Sequence, residues 1–249
     1  MAAKLYSGTS NIELPVRNKQ FYPEAFRDKS RLNYYASLLN SVEMNCTFYK
    51  VPMPSTIKKW ADDVPDDFRF TFKLLREITH QKELEFKPED VERFMQVIDQ
   101  AGDKKGSLLV QFPPKIQVNS LHKVEYLLRI IRSCDPQREW DVAVEFRHKS
   151  WYKDEVYEML EKYGMALVSH DLPASATPTI EPWADFVFLR FHGPEGGYRG
   201  SYADDLLYEY AGYIRDWLDE GKKVYAYFNN TMGAAVQNVA TLNSFMETL

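Results

Sequence analysis

The sequence predicts an α/β fold: a single (β/α)8 barrel of TIM type spanning residues 1–249. Short apolar, β-rich runs alternate with longer amphipathic stretches along the whole chain, and there are eight such β-rich runs, each followed by a helix or a long connection. No Ser/Gly-rich linker, composition break or internal repeat interrupts the alternation. An open doubly wound sheet would alternate in the same way, so the barrel rests on the count of eight.

The strands fall at 4–8, 42–46, 68–73, 107–112, 141–146, 165–169, 186–191 and 223–228. Each is short and apolar, as strands covered by helices should be. Helices are expected at 31–41 behind an N-cap at Ser30, at 54–61 behind Pro54, and at 88–101 behind Pro88. Others are expected at 120–133, 153–163, 203–220 and 232–247, with Gly164 and Gly221 as stops. The longest connections follow the first, third and sixth strands.

With 45% hydrophobic and 14% aromatic residues in 249, the chain can bury a large core without metal or disulfide staples. A net charge of −5 argues against a nonspecific nucleic-acid coat but permits a local basic pocket. Cys46 and Cys134 have no ligand spacing and suit a reducing compartment. The first residues lack a signal-peptide core, and no run approaches the ~18 apolar residues of a membrane span. The expected location is the cytoplasm, with no membrane partner.

Side chains alternate along a strand, so parity separates its two faces. Val42 and Met44 oppose Glu43 and Asn45; Phe68, Phe70 and Phe72 oppose Arg69, Thr71 and Lys73; Val142, Val144 and Phe146 oppose Ala143, Glu145 and Arg147. In the seventh strand Val187, Leu189 and Phe191 oppose Phe188, Arg190 and His192, and in the eighth Tyr225, Tyr227 and Asn229 share a face. One parity is large and apolar. The other turns polar towards the carboxyl end, where a barrel places its chemistry. Burying unpaired charge in five strands at one end would cost several kcal/mol per group. Either Glu43, Lys73, Glu145, Arg147 and Arg190 neutralise one another as structural ion pairs inside the barrel, or they line a shared pocket, which explains the pattern better. His80, His148, His170 and His192 fall at or just beyond the same strand ends.

Several strings carry a resemblance: VEMNCTFYKVP at 42–52, Trp60, VPDDFRFTFKLLREITH at 64–80, LLVQFPP at 108–114, VEFRHKSW at 144–151, LRFHG at 189–193 and VYAYFNNT at 224–231. In family order, they resemble the YecE-like family, domain of unknown function 72. The resemblance implies a TIM barrel and no established activity. At the family's opening motif Gly8, Thr9 and Ser10 match, while Asn11 and Ile12 stand where a glycine and a tryptophan are usual. Carried over, the family's polar positions are Glu43, Asn45, Thr47, Tyr49, Lys73, Thr79, His80, Gln111, Glu145, Arg147, Trp151, Arg190, His192, Gly193, Asn229 and Asn230.

These residues fit an enzyme acting on a phosphorylated or nucleotide-like anion by hydrolysis or acid–base chemistry. Glu43, Glu145 and His192 are its catalytic candidates, provided neighbours push the carboxyl pKa values apart. Lys73, Arg147 and Arg190 form an anion wall, and Asn45, Gln111 and Asn229 orient the substrate. Tyr49, His80 and Trp151 complete the binding set, and Phe48, Tyr198 and Tyr202 offer further faces for a base or sugar. The glycine-rich stretch 192–202, with Arg199, is a phosphate-loop or lid candidate. One alternative is a non-catalytic nucleotide- or nucleic-acid-binding protein. Another is a metal-dependent nuclease-like or isomerase-like barrel using His80, Glu145, His148, His170, Asp171 and His192. The sequence requires no cofactor, and a divalent metal is compatible with it.

Overall fold

The computed structural model describes residues 4–179 and 181–249. Its strands are β1 (Leu5–Thr9), β2 (Ser41–Met44), β3 (Arg69–Lys73), β4 (Lys105–Phe112), β5 (Asp141–Phe146), β6 (Ala166–Leu167), β7 (Ser169–His170), β8 (Phe186–Phe191) and β9 (Lys223–Phe228). All named pairs are parallel, in two sheets of order β1-β9-β8-β7 and β2-β3-β4-β5-β6. The predicted sixth strand is split at Val168. Its first half pairs with β5 and its second with β8, so one continuous segment carries the ring from sheet to sheet. This is a TIM-type barrel made of two ladders rather than one.

Side chains stitch the other junction, between β1 and β2. Ser7 N donates to Asn40 Oδ1 at 3.0 Å, and Asn40 Nδ2 donates to Leu5 O at 2.8 Å. The Tyr35 hydroxyl accepts from Thr9 N and donates to Ser41 O at 2.9 Å. A Cβ on Gly8 would lie 2.0 Å from Ser41 O, so only glycine permits this approach. One bridge, Ser10 to Glu43, closes the seam at its carboxyl end.

The helices are α1 (Arg31–Ala36), α2 (Cys46–Tyr49), α3 (Pro54–Asp62), α4 (Arg76–Thr79), α5 (Pro88–Ile98), α6 (Leu121–Cys134), α7 (Asp154–Lys162), α8 (Asp204–Asp219) and α9 (Ala235–Thr248). Ser30 caps α1 by accepting from Asn33 N, Pro54 and Pro88 open α3 and α5, and Gly164 and Gly221 take positive φ after α7 and α8. α1 is shorter than expected because the chain turns at Ser37, which frees Asn40 for the seam. Among the described residues no helix is long and apolar enough to cross a membrane.

The apolar parity of each strand packs outward under the helices, including Val42, Met44, Phe70, Phe72, Val144 and Phe191. Each such buried side chain contributes ~1.5–3 kcal/mol. The opposite parity fills the barrel with a smaller set: Tyr6, Leu109, Ala143, Val168, Phe186, Phe188, Tyr225 and Tyr227. The interior positions nearest the carboxyl ends are taken by charged residues.

Candidate functional site

At those ends Arg190, on β8, is 1% exposed and spans the barrel. Its Nε and Nη2 donate to Glu43 of β2 at 2.8 and 2.7 Å, a two-point fork, and its Nη1 donates to Glu145 Oε2 of β5 at 2.5 Å. The remaining Glu145 oxygen accepts from Arg147 Nε, and Ser10 Oγ donates to Glu43 at 2.7 Å. Both carboxylates are fully buried. Burial alone pushes them up, but the Arg190 guanidinium, with Lys73 and Ser10, holds Glu43 below its ordinary value, and Arg147 with Arg190 holds Glu145 well below. Both are therefore ionised, with every oxygen in use.

His192 completes this layer. Arg147 Nη2 and Arg190 Nη1 donate to its Nε2 at 3.0 and 3.2 Å, so Nε2 is an acceptor and the proton sits on Nδ1, facing Asp171 at 3.3 Å. Burial lowers its pKa to about 4, against the pull of Asp171, and the ring is neutral. Asp171 also accepts from His192 N at 2.8 Å and from the Tyr202 hydroxyl.

Above this layer opens a cavity of about 860 Å³. Of the predicted binding residues, Asn45, Tyr49, Lys73, His80, Gln111, Arg147, Arg190 and Asn229 line it. Glu43, Glu145 and His192 do not: they lie behind the two arginines. Lys73 Nζ sits 4.4 Å over the Phe48 ring, and burial followed by Arg190 lowers its pKa to about 8. His80, from the turn after α4, is edge-on to the same ring at 4.9 Å, and burial with Lys73 lowers it to about 4. The carboxylate in the lining, Glu195, is exposed at the rim.

Trp151 is a correction. It is fully buried, stacked 4.3 Å from Phe146, and its Nε1 donates to Ile116 O at 2.8 Å, so its face is spent on packing. Tyr202 likewise is buried and acts through its hydroxyl rather than as a stacking face. Arg199 is exposed and outside the lining, although Gly196, Gly197 and Tyr198 of its loop are in it. That loop is tethered, because Met232 N donates to Tyr198 O and Ala234 N to Gly200 O. A Cβ on Gly193 or Gly233 would strike its backbone at 2.2 or 2.3 Å.

The histidines read as metal ligands have other partners: His80 meets Thr79 Oγ1, His148 meets Ser150 Oγ, and His170 bonds Phe146 O. Among the described residues no three His, Cys, Asp or Glu side chains converge as ligands. Sequence reasoning had no signal for Ser10 beneath Glu43, nor for the Tyr202–Asp171–His192 relay. Its members come from separate loops and meet only through the fold.

The model of the family described as "Protein of unknown function DUF72" matches residues 6–248. UPF0759 protein YunF of Bacillus subtilis is 27% identical over 243 residues, covering 85% of this chain and 84% of that protein. UPF0759 protein YecE of Escherichia coli K12 is 29% identical over 121 residues, covering 49% of this chain and 43% of that one. The crystal structure of a DUF72 family protein from Thermotoga maritima superposes with a TM-score of 0.80 at 28% identity, covering 98% of this chain and 99% of that one. The chain belongs to the YecE-like DUF72 family.

Proposed function

We propose that this chain is an enzyme that binds a small anionic molecule in the cavity above Arg190 and acts on it by acid–base chemistry. The layering of charge carries the reading. Lys73, Arg147 and Arg190 face the cavity, while Glu43 and Glu145, which fix the arginines, lie fully buried behind them. Arg147 uses its Nε and Nη2 on Glu145 and His192, leaving Nη1 for a phosphate or carboxylate. Because both glutamates are ionised and saturated, they serve as positioning residues. The proton-transfer role expected of them passes to Lys73 and His80, which titrate within the cavity lining. Tyr49 and Tyr198 in the same lining offer faces for a base or sugar, which favours including nucleotides among the candidates.

The test is a panel of inorganic phosphate, a sugar phosphate, a dicarboxylate and a nucleoside monophosphate, read by thermal shift and calorimetry at low ionic strength. At least one should raise Tm, and Arg147→Gln should weaken its binding about tenfold or more, the value of a charge-assisted hydrogen bond. If no member of the panel binds, the reading is wrong.

A further inference from the structure

Lys73 is held differently from the other two cations of the cavity. Arg190 is gripped by Glu43 and Glu145, and Arg147 by Glu145. Among the described residues Lys73 Nζ makes no ion pair or hydrogen bond; it sits 4.4 Å over the Phe48 ring. A lysine kept only for its charge gains from a carboxylate or a full water shell. This one has an aromatic face beneath it, most of its surface withdrawn, and two guanidinium groups nearby whose effect, added to burial, outweighs that of Glu145 and Glu43. Those are the surroundings that favour a neutral, nucleophilic amine.

The rest of the lining suits such an amine. Arg147 has N–H donors left to hold a negatively charged end. Asn45 is in the lining, and its Oδ1 is a buried acceptor with no donor. His80, neutral in the same lining, can pass a proton without itself competing for the anion.

We propose that Lys73 is a nucleophile that forms an imine with the carbonyl carbon of an anionic aldehyde or ketone bound in this cavity. The inference rests on the anion-binding reading and deepens it by naming the substrate class. The amine lone pair forms the C–N bond as the carbonyl π pair moves to oxygen. A proton passes from nitrogen to that oxygen, giving a carbinolamine. The hydroxyl then leaves as water with a second proton, and the nitrogen is left doubly bonded to carbon. Amine and carbonyl give imine and water, with no oxidant or reductant.

Two anionic aldehydes serve as probes: pyridoxal 5′-phosphate and glyoxylate, each incubated with the whole chain and sodium cyanoborohydride and mapped by peptide mass spectrometry. Lys73 should be labelled at least about tenfold faster than surface lysines at pH 7, given its larger free-base fraction. The rate should rise through pH of about 8, the balance struck by Arg190, Glu145, Glu43, Arg147 and His80 around it. Inorganic phosphate should suppress labelling, and the faster probe tells whether a phosphate or a carboxylate is preferred. Lys73→Arg should lose the adduct. Labelling spread over surface lysines, in protein that phosphate still stabilises, overturns the imine and leaves the anion site standing. A Lys73 adduct that forms equally fast with uncharged pyridoxal and ignores phosphate keeps the nucleophile and overturns the anionic class.

Discussion

The lower and upper halves of the barrel interior both carry polar side chains, and they solve the burial problem differently. In the lower half the polar groups are mostly hydroxyls. The Tyr227 hydroxyl meets Thr71 Oγ1 at 2.7 Å and Ser41 Oγ at 2.5 Å, and the Tyr225 hydroxyl donates to Asp141 at 2.8 Å, with Tyr6 stacked on Tyr225. Nearly every group there is neutral and partnered, so the set reads as a plug. In the upper half, ionised Glu43 and Glu145 fix Arg190 and Arg147, and the cations are then presented to a cavity with donors to spare. A structure needing only a filled barrel could extend the hydroxyls upward. Buried ion pairs at the mouth are costly, and the proposed anion site gives them a purpose, since they hold the two arginines at the cavity.

The comparison can be broken most sharply at Arg190. Arg190→Met leaves two buried carboxylates without their shared partner and should cost about 3–5 kcal/mol in chemical denaturation. A loss below about 1 kcal/mol would mean that the upper half relaxes as freely as a surface. Acid provides the second probe. His192 is neutral when folded because its pKa has fallen from 6.5 to about 4, whereas the unfolded chain takes up the proton near 6.5. Its contribution is therefore complete above pH 6.5 and lost as pH falls towards 4, about 3 kcal/mol at 1.36 kcal/mol per unit. Below pH 4.5 the lowered Glu43 and Glu145 steepen the decline. Denaturant midpoints from pH 8 to 4 measure this, and His192→Asn should remove its share. A flat profile would contradict a neutral His192. In the lower half, Tyr227→Phe should cost only about 1–2 kcal/mol, the value of an unpartnered hydroxyl, and leave anion binding intact.

These halves were legible in the sequence to different depths. Strand alternation is a fixed geometric period, so Glu43, Glu145, Arg147 and Arg190 could be put on the inner face from spacing alone. Which of them would meet the cavity could not, because that depends on which carboxylate grips which guanidinium across the barrel. Trp151 came into the binding set through the resemblance, and it lies in a tight turn past the end of β5 where a neighbouring loop supplies its partner, a contact no periodic pattern encodes. Asp171 and Tyr202 are 31 positions apart and meet only when two loops fold over His192, a contact with no periodic signature. The seam at Asn40 and Tyr35 was equally hidden, since side chains there replace the ladder that strand patterns encode.

Lys73 gives the smallest effect and the most telling sign. Arg190 is a cation the fold depends on, so removing it destabilises. Lys73 is a cation kept half-buried without an ion pair, and burial with Arg190 outweighs the pull of Glu145 and Glu43, so its protonated form is a burden on the folded state. Its folded pKa lies near 8 and the unfolded value near 10.5, so the burden is complete below pH 8 and disappears as pH rises through 10.5. Lys73→Met should therefore gain stability at pH 7, on the order of 1 kcal/mol, and lose that gain as pH is raised. Denaturant titrations of the two proteins at pH 7 and pH 10 decide it. Destabilisation at pH 7 would place Lys73 with Arg190 among the structural cations, whereas a gain means that the fold gives up stability to keep a reactive amine at the mouth of the barrel.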